Sequence, residues 1–124
     1  MTPGSPCYLD HYQGNPYNEP LAFGGNNTLS KVYSFNPIAQ ELPKQQHKYI
    51  LGAQGNVWTE YILSPEHVEY MAYPRAIAMA EVNWSPQKIR EFKHFMNHLE
   101  HHFIWLDMLK VNYRKLSLNE ETGL

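Results

Sequence analysis

Apolar residues recur at helical spacing in the second half of the chain, and one shorter segment runs apolar with no polar face. Val68, Met71, Ala72, Ala76, Met79 and Ala80 follow three- and four-residue steps, the spacing that lines one side of an α-helix. Ser64 supplies an N-cap oxygen, Pro65 suits the first helical position and Glu66 the first turn. Pro74 lacks an N–H and crowds the preceding turn, so the pattern predicts a short helix, a break at Tyr73 and a second segment to about Asn83. Ser85-Pro86 repeats the start signal. Ile89, Phe92, Met96, Leu99, Phe103 and Leu106 then form a stripe that requires a partner surface.

Upstream, "KYILGAQGNVW" is the best strand. Tyr49, Ile50 and Leu51 are an apolar run, while Gly52 and Gly55 mark close backbone approach or a bulge. Continuous apolarity suits a buried parallel strand. Residues 11–36 are rich in Gly, Pro and Asn and predict one long loop, whose aromatic residues argue against disorder. "NPIAQELP" predicts a short helix ending before Pro43, and the polar tail from Leu116 is expected to fray. No internal repeat is present. The order of strand end, long loop, strand and helices reads as the last part of a β/α array rather than a closed fold.

Composition narrows the function classes. Hydrophobic residues make up 43% and charged ones 18% of 124 residues, which is globular and enough for one small domain. A net charge of -2 gives no electrostatic footprint for nucleic acid or an anionic membrane surface. No apolar run approaches a membrane span, and "MTPGSPCYLD" lacks the basic start and apolar middle of a secretory signal. Cys7 is alone, so the chain holds no internal disulfide, and a lone cysteine reads best as a small buried hydrophobe.

Two triplets carry candidate chemistry. Tyr8 and Asp10 stand at i and i+2, as do Trp58 and Glu60, and in extended chain such pairs point to one side. A ring that lies against the C–H face of a sugar, beside a carboxylate that accepts from its hydroxyls, is a sensible sugar subsite. Each triplet alone is also read as a core ring with a solvated acid. Their shared place at the C-terminal ends of β/α strands, where ligand sites sit, favours the subsite. His94, His98, His101 and His102 have helical spacing that could hold a metal, but they fall opposite the apolar stripe and read as a solvated face. No metal and no cofactor is expected. Glu81 is expected to pair with a base such as Arg75 and pin its helix.

"YLD", "PLAFGGNNTLSKVYSFNPI", "ILGAQGNVWTE" and "YPRAIAMAEVNWS", in this order, resemble the C-terminal end of the catalytic domain of glycoside hydrolase family 20, the β-N-acetylhexosaminidases. The resemblance covers residues 1–115 and leaves 116–124 as a polar tail. It implies an α/β fold, the C-terminal fragment of a (β/α)8 TIM barrel: the end of strand 7, a long loop, strand 8, helix 8 and a C-terminal helix. It further implies that Tyr8 holds the substrate's acetamide oxygen, Asp10 lies near the sugar 6-hydroxyl, Trp58 floors the pocket and Glu60 accepts from the 4-hydroxyl. Partners implied are glycans bearing N-acetylhexosamine, together with the missing N-terminal part of the barrel or self-association through the open side. The family's adjacent Asp-Glu pair has no match, because the only aspartates are Asp10 and Asp107. The chain thus reads as the final quarter to third of such an enzyme, begun at an internal methionine and inactive alone. A non-catalytic carbohydrate-binding module and a protein-interaction domain are the alternatives. The compartment stays open, a periplasmic or secreted parent being compatible with the sequence.

Overall fold

The computed structural model describes residues 3–116, so the tail expected to fray lies almost wholly outside the described residues. The helices are α1 (Gly4–Cys7), α2 (Leu29–Tyr33), α3 (Pro65–Ala72), α4 (Arg75–Trp84) and α5 (Phe92–Met108), with single 3-10 turns at Pro16–Asn18, Lys44–Tyr49 and Gln87–Ile89.

The α3–α4 pair follows its local signals. Ser64 Oγ accepts from the His67 N–H at 3.2 Å, Pro65 opens the helix and Tyr73 is extended ahead of Pro74. Ala78, Met79 and Val82 of α4 face inward. Ala78 and Met79 meet Cys7, Leu9 and the α2 residues Leu29, Val32 and Tyr33 in one core that Phe95 and Leu99 of α5 complete. Aromatic packing joins α2 to α5, since Tyr33 stacks on Phe95 with ring centroids 4.6 Å apart. Such offset pairs add about 0.5–1.5 kcal/mol beyond area burial.

Three expectations need correction. The helix after Ser85-Pro86 starts later, at Phe92, because Arg90 leaves the helical path to donate to the carbonyls of Tyr33 and Phe35, both at 3.0 Å. Ile89 therefore drops out of the stripe and lies exposed, while Phe95 joins it. "NPIAQELP" forms bends and a turn rather than a helix. Pro37 and Pro43 leave too few residues between them to offset helix nucleation. The helix of this region is α2 instead, capped by Thr28, whose side chain accepts from the Lys31 N–H at 3.3 Å.

The third correction concerns the predicted strand over residues 49–57. Its first residue ends the Lys44–Tyr49 turn, and Gly52 has a φ of +148°. Among the described residues the chain pairs with its neighbour only at an isolated parallel bridge, Tyr8 with Asn56. A Cβ at Gly52 would lie 3.0 Å from Asn83 Oδ1, and one at Gly55 would lie 3.1 Å from Leu9 Cδ1, so close backbone approach accounts for both glycines. Side chains take over the missing ladder. Asn83 accepts from the Ala53 N–H at 2.7 Å and donates to the Ala53 carbonyl at 3.0 Å, fastening this extended segment to α4.

The long loop is ordered by returning to the first segment. Phe23 N–H donates to the Asp10 carbonyl, Tyr12 N–H to the Gly24 carbonyl, and Asn27 N–H to the Tyr12 carbonyl at 2.7 Å. Gly25 makes the return possible: its φ is +64°, and a Cβ there would sit 2.3 Å from the His11 ring.

Candidate functional site

The site grows from the Tyr8–Asn56 bridge. Leu9 N–H donates to the Asn56 carbonyl at 2.7 Å and Asn56 N–H to the Cys7 carbonyl at 2.8 Å, which sets the two segments parallel. The bridge is isolated: Leu9 and Asp10 turn away directly after Tyr8, while Trp58 and Glu60 follow Asn56 two and four residues on. Tyr8 is half-buried and Asp10 only 6% exposed, whereas Trp58 is 59% exposed and Glu60 is exposed. The structure thus brings the two triplet-bearing segments together, with one pair sunk and the other open.

Asp10 is unusual in its surroundings. Its Oδ1 is buried and has no hydrogen-bond partner among the described residues. A buried carboxyl oxygen left so costs free energy unless something donates to it. The backbone on both sides is held by Arg75, whose side chain is fully buried. The Arg75 guanidinium donates to the carbonyls of Leu9, Met71 (2.6 Å), Asn27 (2.9 Å) and His11 (3.1 Å). Burial pulls its pKa down to about 9, while the fields of Glu19 and Asp10 act in the opposite direction. It stays a cation at neutral pH. The expected Glu81–Arg75 pair is therefore replaced by carbonyl contacts. Glu81 acts instead on Tyr33, whose hydroxyl pKa is raised first by burial and then by this carboxylate.

Asn27 completes the arrangement. Fully buried, it donates to the carbonyls of Pro6 and Tyr8, both at 2.9 Å. Neither Arg75 nor Asn27 stood out as a site residue in the sequence. A cation at the head of the apolar "RAIAMA" run was a signal for the first, but an asparagine among turn residues gave none for the second.

A second polar cluster lies elsewhere. Glu19, 3% exposed, accepts from Arg114 Nε at 2.5 Å and from the Tyr70 hydroxyl at 2.9 Å, and Gln13 donates to the Tyr70 carbonyl at 2.8 Å. A cavity of about 710 Å³ opens here beside Asn15, Asn26 and Thr28, and it includes none of Tyr8, Asp10, Trp58 or Glu60. Cys7 is buried, and burial raises its thiol pKa, which suits packing and not nucleophilic attack. His94, His98, His101 and His102 are exposed on α5, away from Phe95, Leu99 and Leu106. Among the described residues no group of three or more His, Cys, Asp or Glu is placed to hold a metal ion, and no helix is long and apolar enough to cross a membrane.

Comparison with known proteins places this arrangement in a family. The family described as "Glycosyl hydrolase family 20, catalytic domain" matches residues 1–87. A beta-hexosaminidase of Porphyromonas gingivalis is 47% identical over 124 residues, covering 99% of this chain and 16% of that protein. A beta-hexosaminidase of Akkermansia muciniphila is 34% identical over 96 residues, covering 77% of this chain and 19% of its own length. Among solved structures, an exo-β-N-acetylglucosaminidase of Vibrio harveyi in complex with N-acetylglucosamine aligns with a TM-score of 0.77 at 34% identity, over 92% of this chain and 18% of that one. A β-N-acetylhexosaminidase of Streptomyces coelicolor gives a TM-score of 0.79 over 93% of this chain and 23% of that one, at 24% identity a likeness of fold. The chain spans less than a quarter of the length of each of these relatives. With residues 1–87, well over half of the chain, matching that catalytic domain, the chain belongs to glycosyl hydrolase family 20.

Proposed function

We propose that residues 1–115 form the C-terminal portion of the catalytic (β/α)8 barrel of a β-N-acetylhexosaminidase, with 116–124 as a polar tail. The whole enzyme would release terminal N-acetylglucosamine or N-acetylgalactosamine with retention of configuration. In this chemistry the substrate's acetamide oxygen attacks the anomeric carbon in place of an enzyme carboxylate. Tyr8 holds that oxygen, Asp10 binds near the 6-hydroxyl, Trp58 floors the pocket and Glu60 accepts from the 4-hydroxyl. The acid chemistry comes from the part of the barrel outside this chain. The same part, or a second copy of the chain, covers its open side.

One observation carries the reading: the buried Oδ1 of Asp10 has no partner among the described residues, and Trp58, two residues past the bridge on the other segment, is exposed. A hydroxyl donating to that oxygen would satisfy it, and a pyranose laid against the indole would cover the ring.

The test is hydrolysis of 4-nitrophenyl N-acetyl-β-glucosaminide. The isolated chain is expected to show none, because loss of a general acid alone removes typically ~10²–10⁴-fold. In the complete polypeptide, Tyr8→Phe lowers kcat more than it raises KM, since the acetamide oxygen forms its bond only in the transition state. Glu60→Gln acts mainly on KM. Turnover by the rigorously purified chain, or equal effects of both substitutions on kcat, would overturn these assignments.

A further inference from the structure

We propose that Arg75 and Asn27 are positioning residues for the sugar site, Arg75 setting Asp10 through the carbonyls of Leu9 and His11, and Asn27 setting Tyr8 through the carbonyls of Pro6 and Tyr8. The inference rests on the reading of Tyr8 and Asp10 given above and assigns what holds them in place.

The geometry is specific to those two residues. Leu9 and His11 flank Asp10, and Arg75 takes both of their carbonyls. Arg75 therefore ties down the Leu9–Asp10 and His11–Tyr12 peptides, the Asp10 carbonyl between them accepts from the Phe23 N–H, and the backbone that directs the Asp10 side chain is held on both sides. Asn27 does the same for Tyr8, holding the Tyr8 carbonyl and that of Pro6 two residues before it. The two devices are coupled, because the Asn27 carbonyl accepts from Arg75 at 2.9 Å. Regular strands would fix these directions through ladder bonds on both sides, but here a single bridge is present at Tyr8. A planar guanidinium, anchored at the first residue of α4, reaches four carbonyls from three segments at once. A lysine ammonium offers three donors around a point and cannot reproduce that fork.

The test is a pair of double-mutant cycles in the complete hexosaminidase polypeptide that carries this chain, with 4-nitrophenyl N-acetyl-β-glucosaminide as substrate. Arg75→Lys is expected to raise KM about tenfold in the wild-type background, in line with a hydrogen-bond set to a charged group, and to add little once Asp10→Asn is present. Asn27→Ser is expected to lower kcat about tenfold and to add little in a Tyr8→Phe background. A residue that only stabilises the fold would depress activity equally in both backgrounds. Additivity in both cycles, with Asp10→Asn and Tyr8→Phe each impaired, overturns this inference and leaves the sugar-site reading standing. An Asp10→Asn enzyme with unchanged KM, or an inactive complete polypeptide, removes the sugar-site reading and this inference with it. Should Arg75→Lys not fold, the Asn27→Ser cycle decides alone, and additivity there overturns the inference.

Discussion

Removing the cation from the Glu19–Arg114 pair gives a sharp test of what holds the long loop. Glu19 is 3% exposed and Arg114 12% exposed, so neither is strongly screened by water. Arg114→Met leaves the carboxylate buried, with the Tyr70 hydroxyl, at 2.9 Å, as its remaining hydrogen-bond donor among the described residues. Breaking a buried pair from one side costs about 3–5 kcal/mol, and the surviving Tyr70 bond puts this case at the lower end, about 3 kcal/mol. At 1.36 kcal/mol per decade that is a roughly 100-fold rise in the population of the opened loop. Hydrogen–deuterium exchange at the amides of Tyr12, Phe23 and Asn27 reads it, because all three donate across the loop. Glu19→Gln alone should raise exchange about tenfold, since it exchanges a charge-assisted bond for a neutral one and leaves no buried anion behind. The double substitution should exchange more slowly than Arg114→Met, because the uncompensated charge is gone. Exchange within threefold of wild type in Arg114→Met, or a double variant no slower than it, would refute the reasoning.

Other outcomes follow from the same contacts. Tyr70 is pushed up to about 12, first by burial and then by Glu19, so its neutral form is favoured in the folded loop. That contribution is complete below the ordinary tyrosine pKa of about 10 and is lost as pH rises through about 12; loop exchange, corrected for its intrinsic pH dependence, should rise across this window in wild type and stay flat in Tyr70→Phe. Leu99 is fully buried, so Leu99→Ala should cost about 2–5 kcal/mol and show as lost exchange protection along α5. The isolated chain exposes Leu51, Leu63 and Trp84 almost completely, and sedimentation should find it self-associated, with a broad melt; a monodisperse monomer with a sharp two-state transition contradicts this.

What was legible in the sequence was local. Ser64, Pro65 and Pro74 act within one helical turn, so the boundaries of α3 and the break before α4 could be read directly. The apolar run at Tyr49–Leu51 suggested a strand, but pairing depends on what lies alongside, and among the described residues only the short stretch at Tyr8 pairs with this segment. Arg90 is a similar case. Its pull toward Tyr33 and Phe35 bridges more than fifty residues, so no local pattern could show that it would delay α5. The aromatic-acid triplets were visible as composition and spacing, whereas the carbonyl-binding side chains behind them became apparent only in three dimensions. A buried arginine whose terminal nitrogens all bond main-chain oxygens has no fixed partner to find in sequence.

The reach of Arg114 to Glu19 bears on the order in which the chain can acquire its structure during synthesis. The two residues are 95 positions apart, among the longest separations a 124-residue chain can close. Nothing made earlier can supply that cation, so the loop carrying Glu19 waits, with its carboxylate in water, until almost the whole chain has emerged. Helices α2, α3 and α4 can meet before then, since their contacts span shorter distances along the chain. The loop beside the Tyr8–Asp10 segment is then the last part to settle, and a ribosome that stops before Arg114 releases a chain whose loop keeps its bonds to the first segment but lacks the cation that secures Glu19.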